Sequence, residues 1–75
     1  MEITIQIKNV YGNLLAYPMD HKAKAFADIA NHKTLTRNTL KQILTIGFRV
    51  NVIDQFGRVS KTFTAGNAET LPAVV

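Results

Sequence analysis

The side chains able to do acid–base or nucleophilic chemistry are few. They are His21 and His32, the carboxylates Glu2, Asp20, Asp28, Asp54 and Glu69, and the single serine Ser60. Catalysis needs such groups to converge with tuned proton affinities. Asp28 and His32 have the one suggestive spacing, four residues apart. On a helix that spacing makes them neighbours, so the carboxylate could orient the imidazole. The plainer reading is a solvent-exposed helix pair. No G-x-S-x-G surrounds Ser60, and Gly12, Gly47, Gly57 and Gly66 are too scattered for a phosphate-cradling loop. With no cysteine, thiol catalysis, thiolate metal sites and disulfides are excluded. The expectation is a protein that is not an enzyme and carries no metal or cofactor.

Recognition surfaces are the other possibility. Net charge is +4, from nine Lys and Arg against five Asp and Glu. A basic surface attracts polyanions, although spread charge also serves solubility alone. Arg37, Lys41 and Thr45 recur at helical spacing and would share one helix face, with Arg58 and Lys61 following in a hairpin. Helix, short connection, helix and hairpin is the order of a winged helix-turn-helix, so these five residues are the candidate nucleic-acid contacts. Against that reading, the usual first helix of such a domain is replaced by a hairpin. Tyr11 and Phe56 fall in turns, where exposed aromatic residues anchor protein interfaces. They are the candidate protein contacts.

These groups need a scaffold. Ile3, Ile5 and Ile7 alternate with polar residues, the pattern of a strand with one buried face. A turn centred on Gly12-Asn13 returns the chain through Leu14–Tyr17 to Pro18. Asp20 is placed to cap a helix beginning at His21. Its apolar stripe is Ala23, Phe26, Ala27 and Ala30, widened by Ile29. Asn31 suits a left-handed helix end. Thr36 caps a second helix, Leu35 and Leu40 have staple spacing around it, and Gly47 closes it. Phe48, Val50 and Val52 read as a third strand, and Gly57 turns the chain into a fourth, with Val59 and Phe63 on one face and Lys61 between them. Lysine on such a strand suits a sheet edge.

The predicted architecture is therefore α+β, in the order β-β-α-α-β-β. An antiparallel sheet of three or four strands carries two helices on one face. Residues 1–65 form one domain, and 66–75, which have no period and contain Gly66 and Pro72, are expected as a frayed tail. Residues 1–4 have neither a basic region nor a long apolar run, so no signal peptide is expected. Nor is a membrane span. The expected setting is the cytoplasm.

The ordered series Asn9-Val10-Tyr11-Gly12-Asn13, Tyr17-Pro18, Ala25-Phe26-Ala27-Asp28-Ile29-Ala30, Lys33-Thr34-Leu35-Thr36 and Gly47-Phe48 resembles a family of short, uncharacterised proteins carried by bacteriophages, prophages and plasmids. The resemblance spans roughly residues 3 to 53. It implies a bacterial cytoplasm and a mobile element, and it brings no activity or site residues. Accessory proteins of that kind often bind a host or defence protein. The leading expectation is such a protein-binding module, with homodimerisation through a sheet edge as one form of partnering. The rival is a small winged-helix-like DNA-binding regulator.

Overall fold

The computed structural model describes residues 1–54 and 56–75. Strands β1 (Glu2–Val10) and β2 (Asn13–Pro18) form a hairpin, followed by helices α1 (His21–Ile29) and α2 (Arg37–Thr45), then strands β3 (Arg49–Ile53) and β4 (Val59–Phe63). The four strands make one sheet in the order β2-β1-β3-β4. The β1–β2 and β3–β4 pairs are antiparallel, whereas β1 and β3 run parallel, with Ile3 beside Val50 and Ile5 beside Val52. The sheet is thus mixed, not wholly antiparallel as the sequence reading has it. The cause is the two-helix connection. β2 leaves the sheet near the start of β1, where Pro18 faces Ile5, and one helix out and one back return the chain to that same end, where Arg49 faces Glu2. A strand entering there beside β1 must run parallel to it.

One apolar layer joins the sheet to both helices. Ile3, Ile5, Ala16, Val50, Val52 and Phe63 supply the sheet side, and Ala23, Ala27, Leu40, Ile43 and Leu44 the helix side. The alanines of α1 are small enough for the helix to lie close to the strands. Ile29, expected in that stripe, instead points to solvent at 82% exposure.

The helix boundaries follow local chemistry. Asp20 accepts the Ala23 amide through Oδ1 at 2.8 Å and the Thr4 amide through Oδ2 at 3.0 Å, so one carboxylate caps α1 and ties it to β1. Thr36 Oγ1 accepts the Thr39 amide at 3.2 Å and caps α2. Both helices end in the same way. Asn31 and Gly47 take positive φ, and the next amides, of His32 and Phe48, reach back to the carbonyls of Ala27 and Ile43. Phe48 then meets Phe26 of α1 edge to face, with centroids 5.2 Å apart.

Residues 66–75 differ from the frayed tail expected of them. A 3₁₀ turn spans Ala65–Thr70, and Leu71 and Val74 are both buried in the main core. The Val75 amide donates to the Leu14 carbonyl at 3.0 Å. Two apolar side chains three residues apart are too few to give a periodic signal, yet they suffice to seat the segment.

Candidate functional site

The parallel pairing of β1 and β3 has a direct consequence for the two candidate aromatic residues. Each strand is followed by a tight turn, so both turns project from the same end of the sheet. Tyr11 sits in the first and is fully exposed, while Phe56 sits in the second at 77% exposure. β1 runs four residues past Gln6, the partner of Ile53, so the first turn reaches roughly 13 Å further at about 3.3 Å per residue.

Both turns are held firmly. Val10 pairs with Asn13, so Tyr11 and Gly12, not Gly12 and Asn13, are the central residues of the first turn. Both have positive φ, 52° and 85°, the signature of a type I′ hairpin turn that suits the twist of the strands. Asn9 Oδ1 accepts the Gly12 amide at 3.0 Å. In the second turn, Asp54 Oδ1 accepts the amides of Phe56 at 2.8 Å and Arg58 at 3.0 Å. Gly57 closes this turn with φ 81°. Gln6 Nε2 donates to the Asp54 carbonyl at 2.9 Å, which anchors the second turn to the strand that carries the first. Gln55, between Asp54 and Phe56, lies outside the described residues.

Beside the turns lies the face of the sheet that the helices leave open. Across it Tyr17, Gln6 and Ile53 stand in one row, with Val59 next to Ile53. Lys8 places its ammonium 5.3 Å from the Tyr17 ring centre. Val59 was expected to share the buried face with Phe63. Instead the register slips at Ser60, so that Lys61 faces Val52 but Val59 faces Ile53. This bulge turns Val59 outward at 60% exposure. Period-two reading assumes an unbroken strand and misses such a slip.

The candidate nucleic-acid contacts are not gathered on one free face. Arg37 donates through Nε to the Leu71 carbonyl at 3.3 Å and through Nη2 to the Glu69 carbonyl at 3.4 Å. Its guanidinium therefore holds the C-terminal segment against α2. Lys41 is half-buried, and Thr45 Oγ1 donates to the Lys41 carbonyl within the helix. Arg58 is exposed in the second turn, whereas Lys61 lies over the Phe63 ring on the core side of β4, at 5.0 Å.

Asp28 and His32 are exposed at the end of α1, together with Asn31 and Lys33 around a shallow polar depression. His21 is exposed at the other end of the helix. Among the described residues, no three His, Asp or Glu side chains gather as a metal site would require. Among those same residues no helix is long and apolar enough to cross a membrane.

Fold and surface together define an α+β domain with a four-stranded mixed sheet, helices packed against it, and paired aromatic turns at one end. Comparison with protein families, with characterised proteins and with known structures finds no match.

Proposed function

We propose that the chain is a non-enzymatic protein-binding module whose contact surface is the end of the sheet carrying Tyr11 and Phe56. The observation that supports this most is the state of Tyr11. It is fully exposed and has φ 52°, a backbone conformation that favours glycine or asparagine. Folding gains nothing from a tyrosine there. A strained residue that the fold does not need is a pointer to function. Phe56, likewise solvent-facing, stands on a turn that Asp54 and Gln6 have already ordered. Rigid aromatic residues lose little freedom on binding and commonly dominate interface energetics. The resemblance to phage- and plasmid-borne proteins suggests a bacterial partner, such as a host or defence protein.

The test is affinity capture from bacterial lysate, run with and without nuclease, using the native chain and the double variant Tyr11→Asn/Phe56→Ser. A partner retained by the native chain and lost by the variant is the expected result. Removing two central anchors should weaken binding by about 30-fold or more. Identical capture by both proteins, or recovery that depends on nucleic acid, would overturn the proposal.

A further inference from the structure

At the β4 side of the core layer an open groove of about 240 Å³ remains between the sheet and the C-terminal segment. Ile7, Pro72 and the mostly buried Val52 and Phe63 supply its apolar lining, and Ser60, Lys61 and Thr70 its polar lining. The polar groups around it are mostly committed. Ser60 Oγ donates to the Val52 carbonyl at 3.1 Å, and Thr70 Oγ1 donates to the Asn67 carbonyl at 2.7 Å. The groove lining contains no acidic side chain. That leaves the Lys61 ammonium, which lies over the face of the Phe63 ring. An edge lysine that discourages strand pairing accounts for the charge, but not for the apolar recess beneath it.

We propose that this groove binds a small amphipathic carboxylate. Its apolar body would lie on Ile7, Val52 and Phe63, and its carboxylate would accept hydrogen bonds from Lys61 Nζ. Charge complementarity selects an anion, because among the described residues the charged side chain lining the groove is the cationic Lys61. Size selects a small one, because pockets for drug-sized ligands begin near roughly 300 Å³. This site is independent of Tyr11 and Phe56.

The proposal is tested by following backbone amide NMR shifts of the full chain during titration with octanoate, octanol or octylammonium at monomeric concentrations. Octanoate should produce saturable shifts at Val52, Lys61, Phe63 and Thr70 and bind more tightly than octylammonium. Lys61→Gln is a substitution at an exposed position. It should weaken octanoate about two- to five-fold, the range an exposed ion pair supports, and leave octanol unchanged. Added salt should reduce the octanoate preference. Absence of binding, shifts confined to other regions, equal affinity for octanoate and octylammonium, or an unchanged octanoate affinity in the Lys61→Gln protein would each overturn the proposal.

Discussion

A left-handed backbone conformation costs an ordinary L-residue roughly 1–2 kcal/mol, and asparagine tolerates it better than most. Tyr11 bears that cost while touching solvent alone. Tyr11→Asn should therefore raise the denaturation midpoint, by up to about 1 kcal/mol of stability, while reducing capture of the partner. Loss of stability in that variant would show that the ring supports the fold. Asp20 is the opposite case, because its two oxygens serve two elements. Asp20→Ala should cost about 1–2 kcal/mol in urea unfolding, since an N-cap and a strand amide lose their acceptor together. Asp20, Thr36, Asn31 and Gly47 were all legible in the sequence, because a cap or a left-handed residue acts on backbone within four residues of itself. The centre of the first turn was not. Both Tyr11-Gly12 and Gly12-Asn13 contain a residue suited to positive φ, and the choice depends on how β1 registers with β2.

At the scale of elements, both helices are nine residues long, too short to persist alone in water. Their ends and packing must hold them. Gly47 has φ 99°, and a β-carbon there would meet nothing within 4 Å. Gly47→Ala should therefore destabilise through backbone strain without a clash, by about 1 kcal/mol, read as a shift in the urea midpoint with an unchanged slope. Strand existence and order followed from alternation and were readable. Sheet order was less so, because pairing β3 with β1 or with β2 satisfies the same alternation. What decides it is that β2 finds other cover: the Leu35 amide donates to the Ala16 carbonyl at 2.8 Å, and Val75 bonds Leu14. The bulge at Ser60 is equally non-local. It changes which side of the sheet Val59 occupies, and no spacing within β4 announces it.

For the whole molecule, the C-terminal segment matters more than its composition suggests. Leu71 is buried, and the Arg37 guanidinium donates to the Leu71 and Glu69 carbonyls. Leu71→Ala should cost about 2–5 kcal/mol, a large share of the roughly 4–11 kcal/mol available to a chain of this size. Calorimetry or urea unfolding of that variant reads the loss directly, and an unchanged midpoint would mean that the segment contributes little. The same segment bears on the winged-helix reading. With Arg37 turned toward the Glu69 and Leu71 carbonyls, α2 offers less free positive charge than its sequence implies. The two sheet edges are also unlike. β2 is bonded by parts of its own chain, whereas β4 is guarded by a bulge and an inward lysine, two devices that discourage strand addition. Sheet-edge homodimerisation therefore has no unguarded strand to begin from among the described residues.

The central position of β1 also dictates the order of events during folding. Its hairpin with β2 closes over a two-residue turn and needs only local search, on the order of microseconds. Its other flank must wait for β3, whose Val50 meets Ile3 only after both helices have been threaded between them. Until that long loop closes, the hairpin carries a bare row of amides and carbonyls beside exposed isoleucines, the combination that recruits stray strands. Faster helix docking should therefore leave less time for newly made chain to clump.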